Sequence, residues 1–568
     1  MDGNAPARRW WHGGVLYQVY LRSWLDTDGD GYGDLGGVTA RLDYLSWLGV
    51  DGIWLSPTMP SPDQDWGYDV CDYFSVHPDL GTLEDFDRLI AEADARGLRV
   101  LLDLVPNHTS SAHPWFVDAV RGRDAAHRDY YVWADPAPGG GPPNNWLDAT
   151  GGGAWAWHEP TGQYYLHLFL DSQPDLNWRE PAVHAAFRDI LRFWFDRGAA
   201  GFRIDVAHGL YKDARLRDDP PAAGRSPLDG VGGQRQVYSA NRPESHGVFR
   251  EWRRVAEGYL PPRLLLGETW VPDLGSLAGF YGHDDELQLA FNFPFVFAEL
   301  AAGELSGVVG ETLARLPAGA CPVWTASNHD VGRFPTRWCR GEERKVRLAL
   351  MVLATLPGAV VLYYGDEIGM TDAAVPPQLR RDRMSRERGW EGSRDRARTP
   401  MPWDASLSAG FTADSVTPWL PAGDAAVRNV ADQRADPGSV LRFCRRLLAL
   451  RRAELGGTLA PYELVTAAGD QWAYRVGDLI VAVNLGDAPA VLACPVGDVL
   501  LATATAGEDA AAAAGEDAAA AAGEDAAAAA GADAAAAAGE DAAAAAGAVA
   551  GAGRALGPWQ GVIARAGG

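Results

Sequence analysis

The sequence predicts an α/β chain: a (β/α)8 TIM barrel, interrupted after its third strand and followed by a small antiparallel β-sandwich. Three observations lead there. Apolar stretches that read as buried strands recur eight times, near 15–20, 52–55, 99–104, 200–205, 264–268, 288–291, 322–326 and 360–364. Four of them run into short polar segments, DLVPNH (103–108), GFRIDVAH (201–208), GETW (267–270) and SNHD (327–330). The chain has 568 residues, too many for one ordinary core, so satellite domains are expected.

VLYQVY supplies the first strand. TLEDFDRLIAEADARG (82–97) is the clearest helix: Thr82 caps it, acidic residues fill its first turn, and Gly97 stops it. Phe86, Leu89, Ile90 and Ala93 form its apolar stripe, and the strand RVLLDL follows at once. VHAAFRDILRFWFDRG (183–198) repeats the step, with Val183, Phe187, Leu191 and Trp194 facing inward before GFRID. Residues 107–175 are Gly/Pro-rich and aromatic and end in the hairpin-like GQYYLHLFL; they read as an inserted domain. The barrel thus occupies 1–106 and 176–450, with a second, Arg-rich excursion near 370–430. From 451 to 568 short strands such as QWAYRV, DLIVAVNL and AVLAC read as the sandwich. Five octapeptides of the form GEDAAAAA (507–546) interrupt it; they lack aromatic and branched aliphatic residues, and a flexible loop expansion is expected.

A net charge of −25 argues against nucleic acid and anionic membranes as partners. Five scattered cysteines without a CxxC pair, no secretory leader and no long apolar run point to a soluble cytoplasmic protein, a monomer or weak homo-oligomer.

Parallel barrel strands deliver their last residues to one rim, so the four polar segments should converge. Three carboxylates meeting there suit chemistry at an acetal carbon, where an acid and a nucleophile or base flank one bond. Strand alternation points Arg203 and Asp205 the same way, so the arginine holds the carboxylate ionised. Asp205 is the candidate nucleophile. Glu268, on the next strand, is the candidate acid/base, because neighbouring strand ends suit the ~5–5.5 Å separation of a retaining pair. Asp330 is the third acid. The acidic loop DTDGDGYGD (26–34) offers Asp26, Asp28, Asp30, the Tyr32 carbonyl and Asp34 to a hard cation such as Ca2+. It is not an EF-hand, since position 12 is Gly37.

These segments resemble, in order, the four signature regions of the α-amylase superfamily (glycoside hydrolase family 13). QPDLNW (173–178) resembles a fifth region shared by the oligo-1,6-glucosidase and neopullulanase branches. The resemblance spans about 10 to 450 and implies that 107–175 is the family's domain B. It implies that Asp330 stabilises a distorted, oxocarbenium-like sugar and that His108 and His329 bind hydroxyls. Tyr68 would stack under the glucose ring, Phe169 would line the same subsite, and Asp103 and Asn107 would be structural. Asp65, in DWGYDV, would face Arg398, in RARTPMPW, and close the pocket, making the enzyme exo-acting. Val206 and Gln173 resemble α-1,6-specific members, whereas AHGL (207–210) resembles actinobacterial α-glucosidases acting on maltose-type α-1,4 substrates. The implied activity is release of glucose from short α-glucosides. The alternatives are a glucosyl transferase or isomerase, such as trehalose synthase or amylosucrase, and the non-catalytic barrel of transporter heavy chains.

Overall fold

The eight apolar runs become eight parallel strands: β1 (Val15–Val19), β2 (Gly52–Leu55), β3 (Arg99–Leu104), β4 (Gly201–Ile204), β5 (Leu264–Gly267), β6 (Leu289–Ala290), β7 (Val323–Trp324) and β8 (Ala359–Tyr363). The computed structural model describes residues 9–565, apart from 223, 225–227, 229, 389–392, 493–496 and 504–553. Their order in the sheet is β7-β8-β1-β2-β3-β4-β5-β6, and a parallel bridge between Phe291 and Val323 closes the ring. Register then places the chemistry. Asp103 lies opposite Arg203, and Ile204 opposite Gly267, so Asp205 and Glu268 leave the barrel at the same level.

The helices follow their periodicity. Leu83–Ala95 starts in a capping box between Thr82 and Asp85, which satisfies donors that the helix itself leaves free. Phe86, Leu89 and Ala93 are its buried side, and Gly97 ends it at φ +71°. In Pro181–Asp196 the expected inward residues Val183, Phe187, Leu191 and Trp194 are all fully buried.

The excursion after β3 carries a three-stranded antiparallel sheet with Gln163–Leu166 between Trp133–Ala134 and Trp155–His158. The hairpin read from GQYYLHLFL therefore ends at Leu166, and Phe169 leaves the ladder for the cavity described below. One buried ammonium fastens the excursion to the barrel. Lys212 Nζ lies 2.6 Å from Asp175 Oδ2 and donates to Asn107 Oδ1 at 2.7 Å. Removing one partner of a buried ion pair costs about 3–5 kcal/mol, because the remaining charge is uncompensated. Lys212→Met should lower the urea midpoint accordingly, and adding Asp175→Asn should recover part of the loss. An unchanged midpoint would show that the pair does not fasten the two parts.

The C-terminal region forms a five-stranded antiparallel sheet, ordered Tyr462–Ala468, Gln471–Val476, Leu479–Asn484, Gln560–Arg565, Val499–Ala502. Alternation divides its side chains. Trp472, Tyr474, Val481, Val483 and Ile563 join the main core, and the Tyr474 hydroxyl meets Thr355 Oγ1, at the end of the helix before β8, at 2.6 Å. Ala473, Ile480, Ala482 and Val562 form a separate cluster with Leu556, from the ladder of Ala490–Leu492 and Arg554–Leu556. The GEDAAAAA repeats lie outside the described residues.

Candidate active site

A cavity of about 640 Å³ opens at the C-terminal rim of the barrel. Asp205, Glu268 and Asp330 all line it, as do Asp65, Tyr68, His108 and Phe169.

At its floor three carboxylates share one guanidinium. Arg203 Nη1 donates to Asp103 Oδ1 at 2.8 Å and to Asp205 Oδ1 at 2.7 Å, and Nη2 lies 2.9 Å from Glu268 Oε2. Arg203 is only 1% exposed and is not part of the cavity lining, so it orients the carboxylates from behind. Burial raises the Asp205 carboxyl well above the usual range and outweighs the lowering expected from Arg203, with Glu268, Asp103 and Asp330 adding to the rise. Asp103 is pushed up to about 6, chiefly by burial, again against Arg203. Three acids against one cation leave excess negative charge on this cluster. Glu268 Oε2 also accepts from Val206 N at 2.9 Å, which leaves Oε1 without that bond. Val206 stands at φ +44°, a left-handed conformation that costs a β-branched residue of the order of 1–3 kcal/mol. That turn puts the N–H on the acid.

A second layer sets Tyr68 and Asp330. Gln18 Nε2 donates to His329 Nδ1 at 2.8 Å, so the His329 proton resides on Nε2, beside Tyr68 Oη at 2.7 Å and Asp330 Oδ2 at 3.0 Å. The Tyr68 hydroxyl then donates to Asp103 Oδ2 at 2.9 Å, and its ring stacks on His329 at 5.2 Å. Burial holds His329 well below its ordinary pKa, hence neutral. His329 was expected to bind hydroxyls, but it is 1% exposed and stands behind the cavity wall, orienting Tyr68 and Asp330. His108 does line the cavity. Its Nδ1 accepts from Asn107 Nδ2 at 3.1 Å, so Nε2–H donates to the Tyr68 carbonyl at 3.0 Å.

The closed end corrects one expectation. Asp65 does not pair with Arg398. Its partner is Arg394, whose Nη2 donates to Asp65 Oδ1 at 2.8 Å and to Asp382 Oδ1 at 2.9 Å, while Nη1 donates to Asp330 Oδ1 at 3.2 Å. Arg398 is fully buried behind it, bonding Asp330 Oδ1 at 2.9 Å and the His329 carbonyl at 2.8 Å. The motif RDRAR spaces three arginines two apart, and a 3-10 turn over Arg394–Ala397 decides which one faces the cavity. Burial opposes the charge on Asp330, but the His329 Nε2–H beside it and the guanidinium groups of Arg394 and Arg398 outweigh it and hold the carboxyl below the usual range. Gln173 Nε2 reaches Asp65 Oδ2 at 3.2 Å from the other side. Besides Arg394, sequence reading passed over His208 and Trp270 as cavity residues; an Asp-Val-Ala-His run gives no sign of which way its histidine points.

In the acidic loop, carboxylate oxygens of Asp26, Asp28 and Asp34 lie within 4.8 Å of one another. Asp26 is held by Gly29 N at 2.7 Å and Gly31 N at 2.9 Å, and Asp34 by Gly37 N at 2.7 Å. This all-oxygen set fits a hard cation. Asp30, expected as a ligand, stands outside that cluster and accepts from Tyr32 N at 2.7 Å. The loop is also joined to the pocket wall, since Tyr32 packs 6.3 Å from Trp66, the residue after Asp65.

The alpha amylase catalytic domain model matches residues 18–456. A probable alpha-glucosidase of Rhizobium meliloti is 41% identical over 82% of this chain and 86% of its own. An oligo-1,6-glucosidase of Heyndrickxia coagulans is 36% identical over 80% and 87%. Among solved structures, an alpha-glucosyl transfer enzyme superposes with TM-score 0.82 at 39% identity, covering 86% of this chain and 94% of that one. Eight parallel strands, three rim carboxylates on one arginine and these matches together establish that the chain belongs to the alpha-amylase family of glycoside hydrolases.

Proposed function

We propose that the chain is a retaining exo-α-glucosidase that releases glucose from the non-reducing end of short malto-oligosaccharides. Asp205 attacks the anomeric carbon while Glu268 protonates the departing oxygen, giving a glucosyl ester. Water, deprotonated by Glu268, then hydrolyses that ester with net retention. The shared guanidinium of Arg203 supports this reading, because one side chain that binds both carboxylates draws nucleophile and acid together, as a retaining pair requires.

The observation that carries exo action is Arg394, which bridges Asp65 and Asp330 and caps one end of the cavity. Charge-assisted bonds from this cluster suit the hydroxyls of a terminal sugar. Activity on soluble starch should be far below that on maltose or maltotriose. Rapid loss of iodine staining, with internal fragments ahead of glucose, would overturn the exo assignment. A transferase reading is favoured by the likeness to the alpha-glucosyl transfer enzyme and to a trehalulose synthase, 30% identical with TM-score 0.83 over 99% of this chain and 100% of that one. New disaccharides exceeding free glucose in products from maltose or sucrose would establish that alternative.

The acidic loop is proposed to hold one Ca2+ through Asp26, Asp28, Asp34 and the Tyr32 carbonyl, where it would neutralise crowded carboxylates and stiffen the loop. An ion that binds only the native state stabilises it by about 2.7 kcal/mol at a hundred times its Kd. Chelation should therefore lower the melting temperature and calcium restore it; identical melting in chelator and in excess calcium would refute the site. Reduced thiols at Cys71, Cys321, Cys339 and Cys444 support a cytoplasmic setting. Among the described residues no helix is long and apolar enough to cross a membrane.

A further inference from the structure

A second cavity, of about 430 Å³, lies at the joint between the inserted domain and the barrel and shares no lining residue with the catalytic one. Its walls come from the inserted domain, the connector at 176–179 and the segment 210–216 beyond β4. Lys212, which fastens that joint through Asp175, is part of the wall. The volume falls within the ~300–1,000 Å³ in which pockets hold small organic molecules.

Charge decides what fits. The chain carries 75 acidic against 50 basic residues, yet Arg123, Arg128, Arg179 and Lys212 line this cavity against Asp129 and Asp213. Most of these charges are spent. Lys212 is held by Asp175, Asp213 by Arg217 at 2.7 Å, Arg179 by Glu244 at 3.0 Å and Arg123 by Asp135 at 3.0 Å. Arg128 is the exception: it is 5% exposed, and its hydrogen-bond acceptors are all neutral. Nη1 donates to the Ala119 carbonyl at 2.9 Å, and Nη2 to Thr161 Oγ1 at 3.2 Å and Gln163 Oε1 at 2.6 Å. Those bonds leave Nε–H and one N–H of Nη1 unspent. The guanidinium carbon lies 3.3 Å from the centre of the Trp133 ring, which covers one face of the fork. Burial, and then the like charge of Arg123, bring Arg128 down to about 10, with Asp129 opposing. A buried cation without a carboxylate partner is uncompensated, and an anion in the cavity would compensate it.

We propose that this cavity binds a phosphate group, free or carried on a small sugar, with Arg128 as its buried cation. A planar guanidinium matches phosphate oxygens in geometry as well as charge. Arg123 and Arg179 sit in exposed ion pairs, which hold them weakly and let them share the ligand's charge. Tyr131, Trp133 and Tyr211 add aromatic surface suited to a sugar ring. No catalytic residue lines this cavity, so the site stands apart from the α-glucosidase reading. A ligand there would bind only the folded joint and so raise the melting temperature.

Calorimetry with inorganic phosphate and with glucose 6-phosphate, in buffer free of phosphate and sulfate, tests this on the parent chain, Arg128→Met, Arg128→Lys and Ala214→Trp. Met keeps a stem over Trp133 without the charge. Ala214 is an exposed part of the wall, so Trp fills the cavity there and leaves the bonds of Arg128 alone. The parent should bind and melt higher with ligand. Arg128→Met and Ala214→Trp should each weaken binding about ten- to hundred-fold, the scale of one charge-assisted bond, and Arg128→Lys should recover part of the loss. Tighter binding of glucose 6-phosphate identifies a phosphorylated sugar as the ligand; equal affinity identifies phosphate itself. Absence of both binding heat and a melting shift in the parent would overturn the site. Undiminished binding by Ala214→Trp would overturn it as well, because the anion would then lie elsewhere, and this holds even if Arg128→Met fails to fold.

Discussion

Asp205→Asn should abolish turnover of every α-glucoside, by roughly 10,000-fold or more, the scale on which loss of a catalytic nucleophile acts. No glucosyl ester can form on an amide, and the amide also removes one of the three acids that share Arg203. Glu268→Gln should behave differently. Its loss should be severe on maltose, whose leaving alkoxide needs a proton, and much smaller on a nitrophenyl glucoside, whose phenolate leaves unaided. Steady-state kinetics on the two substrates separates the roles. Normal maltose hydrolysis by Glu268→Gln would show that the acid has been placed on the wrong residue.

The second large effect belongs to Arg394. Truncating it to Ala leaves Asp65, Asp382 and Asp330 facing one another without the guanidinium that bridges them. Stripping one partner from a buried charge pair costs about 2–5 kcal/mol, or roughly one and a half to three and a half decades in kcat/KM for maltose. Arg394→Lys should not rescue it, because a single ammonium cannot reach three carboxylates that a planar fork holds at once. Arg398→Ala, the variant that sequence alone would select, should act through Asp330 and the packing behind it. Equal kcat/KM on maltose for the parent and Arg394→Ala, with unchanged products from starch, would show that the bridge does not form the end of the pocket.

The strands of the barrel and the residues at their ends were determined by the sequence itself, because those signals are local. A run such as RVLLDL or AAGFRI declares a buried strand through apolar residues bounded by turns, and two-residue alternation is enough to put Arg203 and Asp205 on one side. The acids therefore lie where the motifs place them, at one rim. Partner choice across the chain was decided only by the tertiary structure. Arg394 meets Asp65 across 329 positions, and the three evenly spaced arginines of RDRAR carry no mark of which one a 3-10 turn will present. His329 reads as a substrate ligand until packing stacks it behind Tyr68 and spends both ring nitrogens on the frame. Lys212 and His208 are unremarkable letters in a loop; folding makes one a buried counter-ion of Asp175 and the other a wall of the cavity. Periodicity reports the burial of a residue within its own element. The identity of its neighbour depends on how loops from distant elements fill the rim, and no window of sequence contains that information.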